Sequence, residues 1–180
     1  LKQLHRLIVT SRTYQQSSGR TSLAIGQDPA NEWLSGFTRR RLDAESIRDT
    51  LLVLGGNLDL SPPGPHPFPP QRKWNFTQHN PFKAVYESNH RSVYLMTQRI
   101  QRHPFLAIFD GADPSTSTAS RMTSTTPLQA LYLLNDEFVH NQANGLANRL
   151  LADSNDDESR IERAWLMMFG RGPESDETRK

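Results

Sequence analysis

The sequence predicts a mainly α-helical single domain over 1–180, a helical domain with long ordered loops and a minor short β element. Three observations predict it. Apolar residues recur at helical spacing in five or six separate stretches, only one short run is rich in β-formers, and Pro, Gly, Ser and Thr gather into two long irregular segments. A chain of 180 residues is about one ordinary domain and is long enough to bury a core. With hydrophobic residues at only 35%, that core must be small or lean on partners.

In chain order, Leu1, Leu4, Leu7 and Ile8 lie on one stripe with Lys2, Gln3 and Arg6 between them, so 1–10 reads as an amphipathic helix already under way. Residues 11–32 are polar and contain Gly19, Gly26 and Pro29, which predicts a loop or broken helix. Ala44, Ile47, Leu51, Leu54 and Leu58 mark a helix over about 42–54. Glu45 and Asp49 stand toward its N-terminal end, where the helix dipole favours acid, and Gly55-Gly56 offer a left-handed stop. Residues 61–81 hold seven of the twelve prolines, with Trp74 and Phe76 nearby, and read as an extended strap over the domain or a partner-binding polyproline stretch.

Ser92-Val93-Tyr94-Leu95-Met96 is the one expected strand, pairing with the 74–77 region or with a segment outside the chain. Phe105, Leu106, Ile108 and Phe109 make a short apolar turn after Pro104. Asp110-Gly-Ala-Asp113-Pro follows as a turn signal, and nine of the twelve residues from Ser115 to Thr126 are Ser or Thr. Helical spacing resumes from Pro127 to Asn135, continues after an Asp136 cap through Phe138, Leu146 and Leu150, and returns at Ile161, Ala164, Trp165 and Met168 before Gly170. Pro173-Glu-Ser-Asp-Glu reads as the capped first turn of a further helix. No internal repeat is visible.

Lys and Arg number 21 against 19 Asp and Glu, a formal +2, and the densest basic run is Arg39-Arg40-Arg41. That is too little, too dispersed, for nucleic-acid binding. Arg39-Arg40-Arg41 beside Asp43, Glu45, Arg48 and Asp49 is most simply an ion-pair network around one helix, with a phosphate or acidic-partner patch as the alternative. The chain has no cysteine, which removes disulfides, thiolate metal sites, Cys nucleophiles and covalent c-type haem attachment on this stretch. No apolar run approaches the length of a membrane span. The start at Leu1 without a basic-plus-apolar leader reads as an excised piece whose targeting signal lies upstream.

Leu1-Lys-Gln-Leu-His-Arg-Leu-Ile-Val-Thr-Ser-Arg-Thr-Tyr-Gln-Gln-Ser-Ser18, Arg41-Leu-Asp-Ala-Glu-Ser-Ile-Arg-Asp49, Arg91-Ser-Val-Tyr-Leu95, Phe109-Asp110 with Asp113-Pro114, and Thr126-Pro-Leu-Gln-Ala-Leu-Tyr-Leu-Leu-Asn135 resemble, in order, the blocks of the planctomycete PSD domain, a domain of unknown function. The chain departs from the family at Asp-Gly-Ala-Asp-Pro, where Asp-x-Pro-Asp-Pro is more usual, and at Gly55-Gly56 in place of Ser-Gly. The resemblance implies a C-terminal domain of large exported proteins, preceded in the same polypeptide by a cytochrome-like domain carrying haem c and by a second uncharacterised helical domain. It therefore implies an extracytoplasmic location and upstream domains as partners, with no cofactor on this segment. The family has no established catalytic residues to carry over.

Six histidines, His5, His66, His79, His90, His103 and His140, form no HExxH or i,i+4 ligand pair, so no metal is expected. His5 is expected to be packed or capping, and His66 and His79 to lie solvated in loops. Asp110, Asp113 and Ser115 offer oxygens to Ca²⁺ but lack EF-hand spacing and suit a structural turn. The sharper constellation is Arg91, Tyr94, Asp110, Asp113, Arg121, Ser124, Thr126 and Gln129, around the start of the Pro127 helix, whose free N–H groups suit a small anion or a partner carboxylate. The alternative is that Thr125 or Thr126 merely caps the helix while Arg121 pairs with Asp110 or Asp113.

No Gly-x-Ser-x-Gly elbow or phosphate loop is present. The sequence thus reads as a structural or interaction module of an exported, haem-containing protein, with no reaction assignable to this segment. One alternative is part of a hydrolytic or redox site completed by upstream domains; another is glycan binding through Trp33, Trp74 and Tyr86.

Overall fold

The computed structural model describes residues 1–66 and 68–178. Pro67, within the proline-rich tract, lies outside the described residues. The backbone divides into two compact units, Leu1–Arg41 and Leu42–Lys180.

The first unit carries α1 (Lys2–Val9) and α2 (Ser22–Gln27). Leu4, Leu7 and Ile8 on α1 are all exposed. Polar staples hold the unit together more than a core does. Thr21 caps α2 by accepting from the Ala24 N–H at 3.2 Å. The Asp28 carboxylate accepts from the N–H groups of Glu32 and Trp33 and faces Arg20 at 3.8 Å. Tyr14 stacks edge-on against Phe37 with ring centroids 5.7 Å apart.

The second unit carries α3 (Ala44–Gly55), α4 (Pro104–Ile108), α5 (Pro127–Asn135), α6 (Glu137–Asp153) and α7 (Asp157–Phe169). Asp43, Thr126, Asp136 and Asp156 cap α3, α5, α6 and α7 in turn, and Gly56 and Gly170 end α3 and α7 at φ 76° and 68°. Ala44, Leu95, Phe105, Leu106 and Phe109 form the buried cluster, with Ile47, Leu51, Ile108, Tyr132 and Phe138 packed against it. Phe105 sits at its centre, 4.7 Å from Phe109 and in T-shaped contact with Tyr132 and Phe138 at 5.6 and 5.8 Å.

α3 and α6 touch backbone to backbone. A Cβ on Gly145 would lie 2.3 Å from the Gly55 carbonyl oxygen, and one on Gly55 would lie 2.9 Å from the Gln142 Cα, so neither position accommodates a side chain without parting the helices. Arg149 of α6 donates to the Val53 and Leu54 carbonyls at 2.8 and 2.7 Å, adding a side-chain donor to the C-terminal end of α3.

The expected strand at 92–96 is not formed, and no sheet occurs among the described residues. Ser92–Tyr94 is a 3₁₀ turn, and the one β-type pairing nearby is an isolated parallel bridge between Asp59 and His90. Side chains of α3 take the groups that a neighbouring strand would have paired. The Asp49 carboxylate accepts from the Ser92 N–H at 2.8 Å and its hydroxyl at 2.6 Å, while the Arg48 guanidinium donates to the Ser88 and His90 carbonyls and the Ser92 hydroxyl. The three-residue period of the turn sends Ser92 and Leu95 inward and leaves Val93 exposed.

Among its described residues the 61–81 tract is irregular, with a 3₁₀ turn at Gln71–Lys73. Phe68, Phe76 and Tyr86 gather around Phe82 at 5.3, 4.9 and 6.4 Å. The Trp74 indole N–H donates to the Pro69 carbonyl at 2.7 Å. Beyond Gly170, Glu177 closes a single turn, accepting from Arg171, the Trp165 indole and the Glu174 N–H. These bonds hold its carboxyl down to about 2.

Candidate functional site

The eight residues singled out in the sequence do not converge on one point. Four of them do. Asp110 adopts φ 62°, a left-handed conformation that Asp tolerates better than most residues. Gly111 follows because a Cβ there would meet the Leu106 carbonyl oxygen at 2.7 Å. This sharp turn aims the Asp110 carboxylate at Ser124, whose N–H and hydroxyl both donate to it at 2.8 Å. Thr126 and Gln129 complete a capping box at the start of α5: Gln129 N–H donates to the Thr126 hydroxyl at 3.3 Å, and Thr126 N–H donates to the Gln129 carboxamide oxygen at 3.2 Å. The Gln129 carboxamide N–H also donates to the Ile108 carbonyl at 2.9 Å and to the Ser124 hydroxyl at 3.2 Å. The protein thus sets its own carboxylate beside the α5 N-terminus, the place that the sequence offered either to a small anion or partner carboxylate or to a simple cap.

The other four go elsewhere. Arg121 forks onto Glu45 at 2.9–3.2 Å, so its pairing is with α3 rather than with Asp110 or Asp113. Asp113 accepts from Arg102 at 2.6 Å and from the Ser115 N–H at 2.9 Å. Arg91 lines one surface cleft with Ser46, Asp49 and Met167, and Tyr94 lines another with Pro63, His66 and Tyr86. The Ser/Thr tract is pinned at three points: Ser115 donates to the Arg99 carbonyl at 3.0 Å, Arg121 holds Glu45, and Ser124 holds Asp110. Of the acidic and basic residues expected to form one ion-pair network around α3, Asp43 caps the helix, Glu45 takes Arg121, and Arg48 and Asp49 bind the 88–92 segment. Trp33 belongs to the first unit, Trp74 and Tyr86 to the second.

A different part of the second unit is built more like a binding site. A cleft of about 600 Å³ opens where α3, the 87–89 segment, the start of α4 and the α5–α6 junction meet. Phe105, Tyr132 and Phe138 supply aromatic walls. Glu87, Asp136 and Glu137 supply carboxylates, and Asn57, Asn141 and Gln142 supply carboxamides. His103, only 6% exposed, also lines it. Both of its ring nitrogens are shut off from solvent with no hydrogen-bond partner among the described residues, although buried polar atoms are normally paired.

Burial pushes the His103 imidazole below its usual value; Glu87 opposes the shift and Arg48 adds to it. Burial, with a hydrogen bond to Asp136, pushes the Tyr132 hydroxyl up. The Arg48 guanidinium, 2% exposed, lies 5.4 Å from the Phe138 ring centroid, and burial lowers its proton affinity. The lining therefore presents an imidazole whose charging is disfavoured beside three acidic side chains, with an arginine already donating to main-chain carbonyls.

Sequence reasoning grouped His103 with the other histidines, took Asp136 only as a helix cap and passed over Glu87. The available signal was His103-Pro104 immediately before Phe105 and Leu106, which puts a polar ring at the N-terminal boundary of an apolar helix, where it is carried into the core. Among the described residues no three His, Asp or Glu side chains are grouped to hold a metal ion, and no helix is long and apolar enough to cross a membrane.

Comparison with the curated proteins and with the solved structures gives no match. A family model does match, from the helix opening at Leu1 through the Asp110 turn and the α5 capping box to the last residue. On that match over residues 1–180 the chain belongs to the PSD1 family, described as a protein of unknown function (DUF1553).

Proposed function

We propose that the chain is a helical interaction module of an exported, haem-containing planctomycete protein, where it packs against upstream domains of the same polypeptide, a cytochrome-like one among them. The observation that carries this is the outer face of α5. Leu128, Leu131 and Leu134 follow one another at three-residue spacing and are 59%, 56% and 69% exposed, so a helix capped and anchored on one side presents an apolar stripe on the other. The α1 leucines present a second. Haem, export and the neighbouring domains come from the family resemblance, and the apolar stripes explain why such a module would need neighbours.

The test is Leu128→Glu with Leu131→Glu in the full-length parent protein, followed by limited proteolysis and thermal melting of the haem domain. The expected outcome is faster proteolysis and an earlier haem-domain melt, while the 180-residue chain bearing the same changes keeps its helical circular dichroism, because both side chains already face solvent. Unchanged proteolysis and melting of the parent would overturn the reading.

A further inference from the structure

The geometry points to the His103 cleft as a binding site for an organic cation carrying N–H donors, an ammonium or guanidinium group on an apolar stem. The first argument is charge. Of the four charged residues that line the cleft, Glu87, Asp136 and Glu137 are acidic and only Arg48 is basic. Arg48 is committed, donating to the Ser88 and His90 carbonyls and the Ser92 hydroxyl. An entering anion would meet three carboxylates against one committed arginine, whereas a cation would be drawn toward them.

The second argument is the orphaned imidazole. Its two nitrogens are buried without partners. In the neutral form one of them is an acceptor, so a ligand N–H that reached it would supply a bond the protein leaves unmade. The third is shape and surface: Phe105, Tyr132 and Phe138 meet edge to face around the opening, which gives an alkyl stem apolar walls and a cation aromatic faces. The site stands independently of the apolar stripe on α5. A free amine and a Lys or Arg side chain of another protein segment share this chemistry.

The experiment is isothermal titration calorimetry on the 180-residue chain with agmatine, butylamine and the N-acetyl methylamides of arginine and lysine. Glucose and butyrate serve as neutral and anionic comparisons, and the His103 ring resonances are followed in parallel. Expected are saturable binding of the cations with movement of the His103 signals, and a weakening of about tenfold in Glu87→Gln and again in Glu137→Gln. Both glutamates are exposed, so these variants should fold normally. Tighter binding by the free amines than by the capped amino acids identifies a small-molecule ligand, and the reverse order a basic side chain. Absence of saturable binding by all four cations would overturn the proposal, as would preference for glucose or butyrate, or affinities unmoved in both glutamine variants.

Discussion

Arg48 shows most directly how one residue organises this molecule. It stands on α3 next to the core and, instead of pairing with a carboxylate across a surface, uses its planar fork to collect two main-chain carbonyls and a serine hydroxyl from 88–92. Arg48→Ala should cost about 3 kcal/mol in denaturant unfolding, because the buried acceptors lose their donor. Arg48→Lys should recover less than half, since an ammonium cannot reproduce the fork. His103 makes a prediction in pH. Its folded-state value lies below the ordinary 6.5, so between that depressed value and 6.5 the unfolded chain binds more protons than the native one. Stability is then present in full above about 6.5 and is lost as pH falls through this window. Urea unfolding at steps from pH 7.5 to 5 should show this loss in the parent chain and a flatter profile in His103→Gln. Asp43, Asp113 and Asp156 are held below 3.8 by their hydrogen bonds, so their contributions fall away only at more acid pH and do not obscure the histidine.

Among the elements, the α3–α6 pair carries the architecture of the second unit, and it does so through glycine. Gly145→Ala would drive a methyl into the Gly55 carbonyl and should destabilise the chain by about 2–3 kcal/mol, measurable as a lower urea midpoint with an unchanged slope. An equal midpoint would show that the helices separate without penalty. The longer helices were legible in the sequence because their signals are local: apolar residues recur at helical spacing, Thr126 and Asp136 accept from N–H groups two or three residues on, and Gly56 and Gly170 reach φ values closed to most side chains. The 92–96 segment was misread because a run of β-formers needs a neighbouring strand. Here its N–H and hydroxyl are claimed by Asp49, some forty residues away in sequence.

For the whole molecule, the division after Arg41 predicts where the chain is vulnerable. Arg39, Arg40 and Arg41 are exposed and lie in no helix. Limited trypsin treatment should cut there first and leave a fragment starting near Leu42 that melts cooperatively, and a first cut inside α6 at Arg149 would contradict the division. The two candidate sites, both within the second unit, differ in how far the sequence reveals them. Asp110, Ser124, Thr126 and Gln129 were recognisable as a polar group because they flank one helix start, but whether they faced a ligand or each other depended on the left-handed turn at Asp110. The His103 cleft was not recognisable, since Asn57, Glu87, His103, Tyr132 and Asp136 are scattered through the chain and are gathered only by helix packing. By itself, then, the sequence determined where the longer helices lie and which family the chain resembles, since caps, periodicity and motif blocks act over a few residues. Tertiary structure alone decided which polar groups are satisfied internally and which are buried without partners, because that depends on contacts between residues far apart in the chain.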